Sequence, residues 1–296
     1  MTSPPVALVT GAGGFIGAHV QRGLTRAGWQ AVACGRGTAL PQISADALAG
    51  RPELAGLQLV VHCAGGSSVA KSVTAPLDDF TDSVPPLAHV FEHVRRHAPA
   101  AKVVLLSSAA VYGDARTFPI AESSPLQPIS PYGCHKLMCE QLCASYGRNY
   151  GVSSAILRLF SVYGPGLRKQ LLWDACRKAL RGERRFAGSG HEVRDWLHID
   201  DAVALVLATV AVAAPDVPVL NGGTGVATSV AAVVGQLFAA IDNGGAPEFV
   251  GGGRVGDPAR YIADIGKARA LGWSPSVSIA DGVAEYVRWF RESSSA

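Results

Sequence analysis

The chain has 296 residues, of which 48% are hydrophobic and 17% charged, and a formal net charge of +3. That length can bury a large core in one big domain or two intimate ones. So small a charge, with no aromatic ladder beside the basic run "RKALRGERR" (177–185), argues against a nucleic-acid surface and suits anionic small molecules.

In chain order, "VALVT" (6–10) reads as a short buried strand, followed by glycines and then by the helical period of "FIGAHVQRGLTRAG", closed by Gly28. "QAVACG" (30–35), "LQLVVHCAG" (57–65) and "AKVVLLSS" (101–108) are further strands, with the helical "PLAHVFEHVRRHA" between the last two. A helix is expected from Pro131, and "VSSAILRLFSVYG" (152–164) is the next strand. Buried strands each followed by a helix predict a parallel α/β sheet with helices on both faces. After about residue 160 the pattern loosens, with Pro and Gly frequent, one apolar helix over 200–214 and another over 230–241. The second half therefore reads as a smaller, loop-rich lobe against the sheet.

The apolar run at 202–214 is too short to span a bilayer, and the N-terminus lacks the basic n-region and cleavage site of a signal peptide. Six cysteines (Cys34, Cys63, Cys134, Cys139, Cys143 and Cys176) make no CxxC pair and no ligand spacing with histidine. They are expected to be small packing thiols in a reducing cytoplasm, with no metal site and no membrane partner.

Between the first strand and the first helix, "VALVTGAGGFIG" places Gly11, Gly14 and Gly17. Such a loop lets a pyrophosphate approach the backbone, packs the helix closely on the strand, and aims the helix N-terminus at the phosphates. A dinucleotide is the expected ligand. The end of the second strand, where a carboxylate ordinarily meets the adenosine ribose of NAD, reads "CGRG". Gly35 leaves room there and the Arg36 guanidinium suits a 2′-phosphate, so NADP(H) is expected first and NAD(H) second. The plainer reading is that Arg36 is an exposed loop residue.

"SPYGCHKLMCE" (130–140) sets Tyr132 and Lys136 one turn apart on one helix face, and "VVLLSSAAVYG" ends a strand with Ser107 and Ser108. A phenol is a poor base at neutral pH. A neighbouring ammonium and an oxidised, positively charged cofactor both favour the phenolate. Such a phenol can take a proton from a sugar hydroxyl as hydride leaves its carbon, or return it in the reverse sense. A serine nearby can donate to the developing oxyanion.

The GxxGxxG spacing after Thr10, the YxxxK of Tyr132 and Lys136, and Ser108 three residues before Val111 resemble the short-chain dehydrogenase/reductase superfamily and its serine–tyrosine–lysine catalytic set. "VVHCAGGSSVAKSVTAPLDDF", "RLFSVYGPG", "HEVRDWLHIDDAV", "NGGTGVATSV" and "RVGDPARYIADIGKARALGW" resemble, in order, landmarks of its extended branch acting on nucleotide sugars. That branch is the NAD-dependent epimerase/dehydratase family, and the likeness runs from Val6 to about residue 290. It implies a Rossmann-type domain over 1–163, to which 196–224 returns, and a substrate-binding C-terminal lobe over 164–296. It implies cofactor contacts from Gly11, Gly14, Phe15, Ile16, Gly17, Arg36, Ala64, Tyr132 and Lys136, with Ser108, Tyr132 and Lys136 catalytic. It also implies a nucleotide-diphosphate sugar held by Ser67, Ser108, Ser161, Arg194 and Arg254, the two arginines clamping the diphosphate. A homodimer through the Tyr132-bearing helix and its neighbour is implied as well.

The chain departs from the family pattern in three places. Ala109 and Ala110 stand where dehydratases carry an acidic pair, so 4,6-dehydration is expected to be lost. Ser83 and Ser161 replace asparagines, each keeping a shorter polar group. The expected activity is an NADPH-dependent 4-ketoreductase acting on a nucleotide-linked 4-keto-6-deoxyhexose. A 4-epimerase with tightly held NAD is the alternative, and a non-catalytic NADP(H)-binding redox sensor is a distant third.

Overall fold

A computed structural model describes residues 3–38, 43–241, 245–252 and 258–294. Its frame is a six-stranded sheet of Val6–Thr10 (β1), Gln30–Cys34 (β2), Leu57–His62 (β3), Lys102–Ser108 (β4), Ser154–Leu159 (β5) and Val219–Gly222 (β10), in the order β10-β5-β4-β3-β1-β2. Every pairing in it is parallel. The crossovers carry helices Phe15–Arg26 (α1), Ala45–Leu48 (α2), Val69–Thr74 (α3), Pro76–His97 (α4), Pro131–Tyr150 (α5) and Ile199–Val212 (α7).

Alternation along the strands assigns the two faces. Leu8, Val60, Val103 and Leu105 pack with Phe91 and Val94 of α4 and Cys139 and Cys143 of α5. Their neighbours Ala7, Val9, Leu59, Val61, Val104 and Leu106 point the other way, against Val20 and Leu24 of α1 and Leu205 and Val206 of α7. Strands buried on both faces read as continuous apolar runs, which is why they stand out in the sequence. The six cysteines form no disulfide.

The remaining strands and three helices build a lobe at the carboxyl ends of the strands: Ser161–Tyr163 (β6), Arg185–Phe186 (β7), Val193–Arg194 (β8), Trp196–His198 (β9), Thr228–Ser229 (β11) and Glu248–Phe249 (β12), with Gln170–Leu180 (α6), Val230–Ile241 (α8) and Ile279–Ser294 (α10), while Gly266–Ala270 (α9) packs on the sheet through Ala268. The lobe's core is a separate cluster of Leu172 and Cys176 from α6, Leu237 and Phe238 from α8, and Tyr286 and Phe290 from α10.

Two expected elements change shape. The strand expected over 152–164 is split: β5 stays in the main sheet, while β6 leaves it after Phe160 to pair with β9. Phe160 donates its N–H to the Gly222 carbonyl, and Ser161 donates to that of Asp195 in the lobe, so the hydrogen-bond partner switches within one residue. The helix expected from Pro86 begins ten residues earlier and runs through Pro85 and Pro86. Asp78 and Asp79 in its first turn and Arg95, Arg96 and His97 in its last complement the helix dipole.

Beneath the carboxyl end of β4 lies a buried polar chain. Ser107 Oγ donates to Glu140 Oε1 at 2.6 Å, and Arg158 grips both oxygens of Glu140 at 3.0 and 2.7 Å. Arg158 also donates to Tyr112 Oη at 3.0 Å, and that hydroxyl donates to Asn221 at 2.7 Å. The chain ties β4, α5, β5 and β10 together. Removing one partner of a buried ion pair leaves an uncompensated charge and costs about 3–5 kcal/mol. Glu140→Leu should therefore lower the denaturant midpoint by a stability loss of that size. The double variant Glu140→Leu/Arg158→Met should recover most of it.

Candidate active site

The glycine loop leaves β1 at Gly11, whose φ of +66° would strain any other residue, and returns as α1. Gly17 packs on the backbone of Gly11 and Ala12 so tightly that a side chain there would collide with the Gly11 carbonyl. Gly14, the N-cap of α1, provides no side-chain cap, and no acidic residue stands in the first turn. The first N–H groups of α1 thus point outward with their dipole unopposed, a cradle that fits a pyrophosphate. Phe15 and Ile16 open that helix: the Phe15 ring packs against the lobe core and Ile16 against the sheet core.

Thr10 and His62 lock the ends of β1 and β3 together through a 3.0 Å bond between Oγ1 and Nδ1. Burial first, then the charge of Lys136, pushes the His62 pKa down to about 3, so the ring is neutral. Ala64 donates its N–H to Thr10 Oγ1 at 3.3 Å, which places it beside Gly11. Arg36 follows the buried Gly35, which packs on Gly11, and its own side chain is exposed. Among the described residues no ion pair involving Arg36 is formed.

Ser108, Tyr132 and Lys136 converge where β4 ends and α5 begins. Ser130 caps α5 by accepting from the Gly133 N–H, and Pro131 occupies the first turn, where its missing N–H is harmless. Tyr132, next in that turn, donates its backbone N–H to Ser72 Oγ at 3.1 Å. Lys136, one turn on, is buried and donates to the Leu106 carbonyl at 3.0 Å; its Nζ lies 5.9 Å from the Tyr132 ring centroid. Ser108 accepts the Ala110 N–H at 3.2 Å, which leaves its hydroxyl proton to donate into the cleft. Ala109 and Ala110 form the 3₁₀ turn beside it, so no carboxylate stands there.

The loop after β3 closes the third side. A side chain at Gly65, where φ is +128°, would sit 3.2 Å from Ser83 Oγ and 3.5 Å from Lys136 Nζ. Ser83 accepts the Gly66 N–H at 2.9 Å, so the shorter side chain at this position holds the loop by its backbone. Ser67 accepts a bond from Lys169 Nζ at 2.7 Å. Ser161 lies on β6, partly exposed. Arg194 is buried on β8, with its guanidinium 6.0 Å from the Tyr261 ring centroid. Arg254 lies outside the described residues.

Ser72 and Lys169 were not expected from sequence. Ser72 acts only by meeting the N–H of a residue 60 positions away, and Lys169 by reaching a serine 102 positions away. Neither carries a local pattern that would single it out.

Comparison with known proteins agrees with this fold. UDP-glucose 4-epimerase of Azospirillum brasilense is 34% identical over 315 residues, covering 94% of this chain and 90% of that protein. The crystal structure of UDP-glucose 4-epimerase with UDP-glucose from Thermotoga maritima superimposes with a TM-score of 0.89 at 29% identity, covering 97% of this chain and 99% of that one. MoeE5, solved with UDP-glucose and NAD and also with UDP-glucuronic acid and NAD, gives 0.86 at 32% identity over 98% of this chain and 99% of that one. The NADP(H) preference expected from Arg36 finds no counterpart in MoeE5, whose cofactor is NAD. The profile of the NAD dependent epimerase/dehydratase family matches residues 7–221, and the chain belongs to that family of enzymes.

Proposed function

We propose that this protein is a nucleotide-sugar 4-epimerase that keeps NAD bound through its cycle. One observation carries the reading: full-length similarity to UDP-glucose 4-epimerases coincides with a serine–tyrosine–lysine site flanked by Ala109 and Ala110. Such a site moves one hydroxyl proton and has no acid or base beside it for eliminating water. The similarity favours the epimerase alternative over the 4-ketoreductase. NAD in the complexes of MoeE5 supports NAD over the NADPH that the ketoreductase would use.

NAD, when bound, would supply a reversible hydride acceptor for the sugar carbon. The glycine loop and the uncapped start of α1 would hold its pyrophosphate, with the Phe15, Ile16 and Ala64 backbones alongside. Tyr132 takes the proton from the sugar hydroxyl as the C–H bond breaks and gives it back on reduction. Ser108 donates its free hydroxyl proton to the same sugar oxygen. Lys136 uses one N–H on the Leu106 carbonyl, and its others would be available to the cofactor's ribose hydroxyls. Arg194 and Arg254 clamp the diphosphate, and Ser67 and Ser161 meet the sugar. In this reading residues 1–163 with 196–224 bind the cofactor, and 164–296 supply mainly the substrate lobe.

The same proposal extends to assembly and place. The chain pairs with a second copy through α4 and α5, whose surface exposes Leu77, Met138 and Tyr150. It works in the cytoplasm, an environment that suits six cysteines without a disulfide.

Freshly purified, dialysed protein should release NAD on denaturation and should interconvert UDP-glucose and UDP-galactose with no cofactor added. Activity that appears only with added NADPH and a 4-keto sugar would establish the ketoreductase instead. Tyr132→Phe should cut kcat by roughly 10²–10⁴-fold while KM stays within a small factor, since general acid–base catalysis supplies about that much.

A further inference from the structure

Tyr132 stands in a helical turn whose N–H groups have no partner within their own helix, as holds for the first four of any α-helix. In α5 the cap residue Ser130 serves two of them: Gly133 donates to its side chain at 3.2 Å and Cys134 to its carbonyl at 3.0 Å. Pro131 has no N–H to satisfy. The Tyr132 N–H reaches out of the helix instead, to Ser72 Oγ at 3.1 Å.

Ser72 belongs to α3, a helix of six residues that continues from the loop beside Lys136. So short a helix has little stability of its own and is held by what it packs on. Ser68 caps it by accepting from Lys71 at 3.2 Å, and Gly66 ties the preceding loop to Ser83 of α4 at 2.9 Å. Ser72 is fully buried, and its hydroxyl donates to the Val69 carbonyl at 2.7 Å. Its oxygen is therefore oriented to accept from Tyr132. Lys136, one turn further along α5, is fixed separately by the Leu106 carbonyl, with Nζ 5.9 Å from the Tyr132 ring centroid. Phenol and ammonium are thus located by two different bonds, one to α3 and one to β4. Without the Ser72 oxygen the Tyr132 N–H loses its acceptor in a place closed to water, which a buried donor does not tolerate. The first turn of α5 then moves to find another, and carries the phenol with it while the ammonium stays.

We propose that Ser72 is a positioning residue for the proton transfer: its hydroxyl oxygen holds the start of α5 so that the Tyr132 phenol keeps its place relative to the Lys136 ammonium. This inference rests on the epimerase reading, with Tyr132 as the group that moves the proton.

The test is steady-state interconversion of UDP-glucose and UDP-galactose by the intact protein and its Ser72 variants, with thermal melts confirming that each variant folds. Ser72→Ala should lower kcat roughly 10–100-fold and leave KM within a small factor, because displacing an aligned group by about 1 Å can cost that much. Threonine and valine share a shape and differ by one hydroxyl. Ser72→Thr should therefore keep most of the wild-type kcat, while Ser72→Val falls with Ser72→Ala; this pair decides the matter even if the alanine variant does not fold. In the Tyr132→Phe background there is no phenol to misplace, so Ser72→Ala should lower the residual kcat by no more than about twofold. A Ser72→Ala protein with wild-type kcat, a threonine variant as slow as the valine one, or an equal loss in both backgrounds would each assign Ser72 to packing alone. In those cases the proposal is wrong and the epimerase reading stands. A wild-type protein that interconverts no sugar would overturn that reading and this inference with it.

Discussion

The bond from the buried Lys136 ammonium to the Leu106 carbonyl anchors the proposed reacting centre. It ties a helix that starts at the carboxyl edge of the sheet to the strand that ends there. Tyr132, one turn earlier on that helix, and Ser108, two residues later on that strand, are thereby brought to the same edge of the sheet. A buried ammonium needs a hydrogen-bond acceptor. Here the acceptor is a strand carbonyl, so the charge stays uncancelled by any carboxylate and acts on the cleft. Its effect reaches His62, where it adds to burial in keeping the ring neutral. A neutral His62 can hold Thr10 without placing a second positive charge under the cofactor loop.

The frame around that bond was legible because each part of it carries a short-range signature. Apolar strands of five to seven residues, a glycine loop before a helix, and a tyrosine and lysine one helical turn apart are all patterns within a dozen positions. The partners that finish the site are not local. Ser72 meets Tyr132, Ser83 holds the loop at Gly66, and Arg158 grips Glu140, each across the fold. A sequence pattern reports which face a residue occupies, and only the packing of separate elements decides which polar groups meet. The same limit explains the split of the 152–164 segment. Its run of apolar and β-branched residues is continuous, but the acceptor for its N–H groups changes from the sheet to the lobe at Ser161.

At Arg36 the residue type and the backbone packing answer different questions. A guanidinium in place of a carboxylate at the end of β2 does suit a 2′-phosphate. Yet what the fold uses at this corner is the missing side chain of Gly35, which lets β2 lie against Gly11, and the Arg36 backbone, which packs under Gly13. The arginine side chain itself is exposed. A residue type can therefore be suited to a ligand while its position is set by backbone packing.

The placement of the buried carboxylates decides which chemistry the site can perform. Glu140 lies next to the strand end that carries Ser108, but Arg158 holds both of its oxygens. Asp79, under the Gly66 loop, is bound to His135 Nδ1 at 2.7 Å. Asp195 accepts from the backbone of Thr224, Gly225 and Ala263 and from the Thr224 hydroxyl. Each of these carboxylates organises structure and is held by donors that fix it in place. With alanines at 109 and 110, none is left to pull a proton from carbon or to protonate a departing hydroxyl. Eliminating water from the sugar needs both acts. Oxidising and reducing a single carbinol needs one mobile proton, the task proposed for the Tyr132 hydroxyl. The arrangement of charge therefore supports the proposed reversible redox at one carbon, whichever sugar enters.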